Sequence, residues 1–339
     1  MLERPKPLSL KTFSFPEWYK DFKKISIRSH IVNIPPKVLE YLKDEMIVLP
    51  KECNETTHEN ELGDDYLDED TEETVPPEFP DFSKALQEKL RILNGSAFIK
   101  TNFHCPKDSV WITAGQTMRA RSLSDVYMLL KASSICKEDL ACENVGEQGH
   151  VVVLRQWTEI HPGTEFRCFV KNKCLIAISP RDWPQYHAHI AQHKRDIIND
   201  IVSLFKEKIK EKFPIDDYVF DVFRETKDEV YLVDFSPFDE SVTQALAFEW
   251  PELHSSLGVA ISTPEDEDDP EFRYLPEDCG IQPNPRNNYG IPHDVINLFK
   301  AQQGTATSTE ESEMDASTVN DLLINRLREE CESQSRDDE

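Results

Sequence analysis

The chain has 339 residues, with 38 Lys and Arg against 64 Asp and Glu, and a formal net charge of -26. That balance argues against a general nucleic-acid binder, because counterion release needs basic patches facing phosphate, but it leaves room for a local pocket for one nucleotide. No apolar run has the length of a bilayer span. MLERPKPLSLKTF lacks the continuous apolar core of a signal peptide, and the eight cysteines form no C-x-x-C. The expectation is a cytoplasmic monomer without membrane or nucleic-acid partners, long enough for a core of two lobes.

Helices lead the chain. Pro16–Phe22 reads as a short aromatic-bearing helix. Pro35–Lys43 has proline at a helix start and apolar spacing at Val38, Leu39 and Leu42. No Lys or Arg occurs from Glu52 to Ser83, and the carboxylate-rich run Glu59–Glu73 predicts a disordered acidic loop at about 52–76. Asp81–Asn94 follows as a helix stopped by Gly95. Ser96–Lys100 and Ser109–Thr113 read as short strands, and Ser122–Ala132 as a helix with serine and aspartate caps. Strands then dominate at Val151–Trp157, Thr164–Lys171 and Cys174–Ser179. Cys168 and Cys174 lie in apolar runs and read as buried thiols. A long amphipathic helix runs from Tyr186 to about Lys212, with Ile190, Ile197, Ile201, Leu204, Phe205 and Ile209 at helical spacing.

Tyr218–Arg224 and Glu229–Phe235 form the arms of a hairpin with Glu225–Asp228 as its turn, and a helix is expected near Ser241–Trp250. The acidic run Pro264–Pro270 and the polar tail from Gln302 read as disordered. The fold class that results is α+β, with largely antiparallel sheets. Its segments are an N-terminal lobe over 1–150, a second lobe over 151–300 and a tail over 301–339. There is no G-x-x-x-x-G-K or G-x-G-x-x-G.

The hairpin carries the strongest chemical signal. An even loop count places Asp221 and Asp234 on one face, and Ser236, two residues on, shares it. Two carboxylates on an apolar sheet need a cation to offset their repulsion. Magnesium suits such a pair, taking one or two carboxylates and completing its shell with water and phosphate oxygens. The alternative is that each aspartate caps a turn or pairs with a basic residue. In TEFRCFVK, alternation puts Glu165, Arg167 and Phe169 on one face, so Arg167 is either a phosphate clamp or half of an internal ion pair. Val151–Trp157 is a buried strand ending abruptly in polar and aromatic residues. Lys100 closes the apolar strand AFIK, and Arg181 with Asp182 lies at a strand-to-helix junction.

Over nearly its whole length the chain also resembles the cell division cycle protein 123 family. The likeness runs through FPEWYKDF, PPEFPDF, FIKTNFHCPKDSVWI, LRQWTEIHPGTEFRCFVKNKCLIAISPRDWPQY, YVFDVFR, YLVDFSPFDE and FEWPEL. The resemblance implies an ATP-grasp fold whose two α+β lobes hold ATP and magnesium. It also implies a role as an assembly chaperone of eukaryotic translation initiation factor 2, acting on the gamma subunit. Carried over by position, Lys100 would meet the phosphates, and Arg155, Gln156 and Trp157 would line the adenine strand. Glu165, Arg167 and Arg181 would face the nucleotide, and Asp221 and Asp234 would hold magnesium. Where the family reads D-F-N-P-F, this chain has Ser236 after Phe235, and a hydroxyl is a weaker ligand than an amide oxygen. A competing reading from the same constellation is an ATP-grasp ligase or phosphotransferase with an unidentified acceptor.

Overall fold

Largely buried strands form two sheets in the computed structural model, which describes residues 7–53, 75–113, 115–255 and 269–277. The chain enters through α1 (Pro7–Phe13) and α2 (Phe15–Phe22). The first sheet has β1 (Ser29–Asn33), β2 (Ala97–Lys100), β3 (Arg119–Ala120) and β4 (Val151–Gln156) in the order β1-β4-β2-β3, every pair antiparallel. Helices α3 (Pro36–Lys43), α4 (Pro80–Ile92), α5 (Leu123–Ala132) and α6 (Ser134–Ala141) belong with it. Val152 and Leu154 join Ala97, Ile99 and Ala120 in the core against these helices, with Leu42, Leu86 and Tyr127 among their neighbours. Val151 and Val153 point the other way, into a core shared with Phe15, Trp18 and Phe22 of α2. Because β4 is buried on both faces, its sequence is continuously apolar rather than alternating.

The second sheet contains β5 (Glu165–Lys171), β6 (Cys174–Pro180), β7 (Tyr218–Thr226), β8 (Glu229–Pro237) and β9 (Glu271–Phe272), in the order β8-β7-β5-β6-β9. It is antiparallel except for β6 with β9. The chain passes from one sheet to the other between Gln156 and Glu165. Helix α7 (Ala188–Leu204) and the π-turn Phe205–Ile209 bury Ile190, Ile197, Ile201, Phe205 and Ile209 in one core with Phe166, Cys168, Phe220 and Val222. The opposite face holds Phe169, Ala177 and Val219 in a smaller cluster with Phe248 and with Leu253 of α8 (Trp250–His254).

Local chemistry explains several boundaries. Ser122 and Asp125 exchange hydrogen bonds in a capping box at the start of α5. After α4, Asn94 and Gly95 take φ values of 60° and 76°, and the Gly95 amide returns to the Leu90 carbonyl at 2.9 Å. Three expectations are corrected. Ser109–Thr113 is no strand but lies in a 3-10 turn, Lys107–Ile112, curled by the Ser109 hydroxyl, which donates to the Pro106 and Leu129 carbonyls. The helix near Ser241–Trp250 is a set of turns, because Leu246 adopts φ 60° and Thr243 bonds back to the Pro237 carbonyl; α8 begins only at Trp250. Cys174, at the turn end of the β5–β6 hairpin, is exposed rather than buried, unlike Cys168. The acidic segment Glu59–Glu73, most of Pro264–Pro270 and the tail from Gln302 lie outside the described residues. Among the described residues no helix is long and apolar enough to cross a membrane.

Candidate functional site

The β7–β8 hairpin sets the centre of the site. Its turn is Lys227–Asp228, two residues rather than the expected four, with Thr226 opposite Glu229 and Asp228 at φ 65°. The register shifts between Arg224 and Thr226 and again between Asp221 and Val222. The two shifts have opposite sense and cancel, so Asp221 stands directly across from Asp234. Ser236 stands across from Val219, on the same face as Asp234 because side chains alternate. This face lies away from α7, on the side of the Phe169–Val219 cluster.

Asp221 is enclosed by arginines. Arg167 is its cross-strand neighbour on β5, and the guanidinium grips the carboxylate through Nε to Oδ1 and Nη2 to Oδ2, both at 2.8 Å. Both partners are buried, and a fork-to-fork pair of this kind offsets much of the desolvation that burial costs. Arg167 Nη1 also donates to the Gln244 carbonyl at 2.9 Å. Arg181 Nε lies 3.4 Å from Asp221 Oδ2 and 3.4 Å from Glu165 Oε1. Burial works against the Arg181 cation, but Asp221 and Glu165 outweigh it and raise its pKa.

Asp234 is more open, with a quarter of its side chain exposed. Its Oδ2 accepts from Lys100 Nζ at 2.5 Å and its Oδ1 from the Phe235 amide at 3.1 Å. Lys100, at 2 % exposure, does not reach for bulk water. Arg155 is buried beside it and donates Nη1 to the Val233 carbonyl at 2.9 Å. Burial lowers the Arg155 pKa, against the pull of Asp234. Its Nε and Nη2 are shielded from solvent and have no hydrogen-bond partner. The Phe15 ring lies 5.1 Å from Lys100 Nζ and 5.4 Å from Arg155 Cζ, a cation–π seat for both.

The segment after Lys100 is held by Asp139 of α6. Its carboxylate accepts from the Thr101 hydroxyl, the amides of Phe103 at 3.2 Å and His104 at 2.8 Å, and His104 Nδ1 at 2.7 Å. Burial alone would push the Asp139 carboxyl up; the His104 and Thr101 bonds prevail and hold it below the ordinary carboxylate range. Sequence reasoning singled out neither Phe15 nor Asp139, and nothing local in either helix marks them.

The expected site residues therefore fall into two adjoining groups, Lys100–Arg155–Asp234 and Glu165–Arg167–Arg181–Asp221. Gln156 is not brought into either, because alternation turns it to the opposite sheet face from Arg155, and it is exposed. Trp157 stands beside the first sheet with Arg119 over its ring at 5.5 Å. The two groups hold one more cation than carboxylate, a locally basic cluster in an acidic chain. Both aspartates are paired with basic residues. Asp234 takes one donor at each carboxylate oxygen and keeps further acceptor capacity, so a magnesium–phosphate ligand fits this donor set on its side. Among the described residues no three His, Cys, Asp or Glu side chains form a protein-only metal cage.

Comparison with known proteins matches residues 18–299 to the D123 family model. A Xenopus tropicalis protein named translation initiation factor eIF2 assembly protein is 37% identical over 301 residues, covering 84% of this chain and 90% of the relative. Its Xenopus laevis namesake is 36% identical over 339 residues, covering 94% and 96%. The solved structure of Cdc123 from Schizosaccharomyces pombe superposes with a TM-score of 0.63 at 28% identity, over 80% of this chain and 98% of that one. This chain belongs to the D123 family.

Proposed function

We propose that this chain is an assembly factor for eukaryotic translation initiation factor 2 that binds ATP with magnesium between its two sheets and engages the gamma subunit. The observation that carries the nucleotide reading is Arg155, a buried guanidinium with two unpartnered nitrogens in a side-chain cluster with surplus positive charge. Buried donors of this kind are costly unless an acceptor meets them, and a phosphate chain is rich in acceptors. Lys100, Arg155 and Arg181 would bind phosphate oxygens. Asp234 and Asp221 would hold magnesium with Ser236 nearby, and Trp157 would flank the base. Bound magnesium neutralises phosphate charge; the arginines and Lys100 orient the chain and exclude water.

The assembly reading is supported by the names that close full-length relatives carry. An ATP-grasp arrangement, as the resemblance implies, would place the nucleotide where the two sheets meet and let it fix their relative orientation. The test is calorimetric titration of ATP, with and without magnesium, into this protein and Asp234→Ala. Magnesium-enhanced binding lost in the variant is the expected result, and absence of binding to the wild type refutes the nucleotide reading. Capture of purified gamma subunit by the wild type tests the partner independently.

A further inference from the structure

Arg119 was not among the expected site residues, yet the sheet register puts it on the site face. It stands opposite Phe98 of β2, which in turn stands opposite Arg155 of β4. Directly paired residues of an antiparallel ladder share a face. Arg119, Phe98 and Arg155 thus form a row across three strands, and Lys100 lies on the same face by alternation along β2. The neighbouring pair Ala120 and Ala97, with Ile99 two residues along β2, points the other way, into the helix-side core. Two strand spacings separate Arg119 from Arg155 at the backbone, about 10 Å.

Hydrogen-bonding capacity on this face is left unused. Nine buried side-chain N or O atoms lack a partner among the described residues, and four belong here: Arg119 Nε, Arg155 Nε and Nη2, and Trp157 Nε1. All four are donors. Arg119 Cζ lies 5.5 Å from the centroid of the Trp157 ring, so the orphan Arg119 Nε and the orphan indole N–H belong to one stacked pair at the β3 side of Phe98. A clustered donor excess is the complement of an acceptor-rich ligand, and isolated packing errors would not gather in one row.

We propose that Arg119 is a ligand-binding residue of this site. Its Nε and the Trp157 N–H take an acceptor at the nucleoside end of the nucleotide, while Lys100 and Arg155 hold the phosphate end. The assignment rests on the nucleotide reading above. It makes the edge strand β3 a specificity element, because Arg119 stands two strands from Arg155, at the nucleoside end of the row.

The experiment compares binding of Mg-ATP and of magnesium tripolyphosphate to the full chain and to Arg119→Met, which keeps an apolar stem on Trp157 and removes the donors. The expected result is at least tenfold weaker ATP binding with unchanged tripolyphosphate affinity and an unchanged melt. Equal loss for both ligands would make Arg119 a phosphate contact and overturn the proposal, as would unchanged ATP binding. Should Arg119→Met fail to fold, the same ratio is read on Arg119→Lys, which keeps the charge but not the planar Nε donor. A wild type that binds neither ligand refutes the nucleotide reading itself, a failure distinct from one confined to the variant.

Discussion

Asp221 and Asp234 face each other across one ladder, yet they live in different electrostatic settings. Asp221 is nearly closed: both oxygens are gripped by Arg167, with Arg181 as a further cation, and the pair sits in the sheet interior. Asp234 has one lysine, a backbone amide and access to water. The difference comes from position in the sheet. β7 is central, so Asp221 has a strand on each side and its β5 neighbour happens to be an arginine. β8 is an edge, so Asp234 must find its cation from Lys100 on the other sheet. One carboxylate is built into the fold, and the other joins the two sheets through a contact that a ligand could replace.

The largest effect should therefore separate two cation deletions. Arg167→Ala leaves Asp221 buried without its bidentate partner and should cost about 3–5 kcal/mol, enough to lower the melting midpoint by on the order of 10 °C. Lys100→Met leaves Asp234 able to turn to solvent, and its stability cost should be nearer 1 kcal/mol. Denaturant melts of the two variants decide the matter. Equal losses would mean that the closed and open settings are energetically alike.

A smaller effect concerns the segment that carries Lys100 to its place. Asp139 is held charged in the folded state below its ordinary range, by the hydrogen bonds from His104 and Thr101 against the opposing effect of burial. A carboxyl whose folded pKa is depressed stabilises the fold above its unfolded pKa, about 4, and that contribution is lost as pH falls through the folded value. Asp139→Asn should thus be about 1–3 kcal/mol less stable at neutral pH, with a flatter stability profile below pH 4. Urea melts from pH 7 to pH 3 on both proteins give the comparison; parallel profiles would remove Asp139 from the acid response.

Much of this contrast was legible in the sequence, and the illegible part has a consistent cause. Period-two alternation placed Glu165 with Arg167, because a strand fixes which residues share a face whatever its neighbours are, and the even loop count of the hairpin placed Asp221 with Asp234. It could not say that β5 pairs with β7, and that pairing alone turns Arg167 and Asp221 into a clamp. Arg119 was hidden for the same reason. It sits on a strand of two residues, too short for any periodicity, and only its pairing with Phe98 gives it a face. Ser109–Thr113 looked like a strand by composition, but the buried Ser109 hydroxyl found the Leu129 carbonyl, a tertiary bond that no local pattern announces. Gln156, which the resemblance puts along the adenine strand with Arg155, stands on the opposite face of β4 from it, because neighbours along a strand alternate.

The smallest predicted effect tests whether the open setting of Asp234 extends to Ser236. Ser236 stands on the same face one ladder position further along β8, half-buried, opposite Val219. Replacing it by asparagine adds an amide oxygen beside Asp234. The fold should barely respond, with a stability change inside about 0.5 kcal/mol, since the site is on an edge strand with room toward solvent. Magnesium binding in the presence of ATP should tighten, because a carbonyl oxygen is a better neutral ligand for a hard cation than a hydroxyl. The measurement is a magnesium titration at fixed ATP on wild type and Ser236→Asn. Tighter binding puts Ser236 at the metal and makes the edge strand the adjustable side of the pair. Unchanged or weaker binding would confine the metal to the space between Asp221 and Asp234, and the two aspartates would then differ in exposure but not in their part in holding the ion.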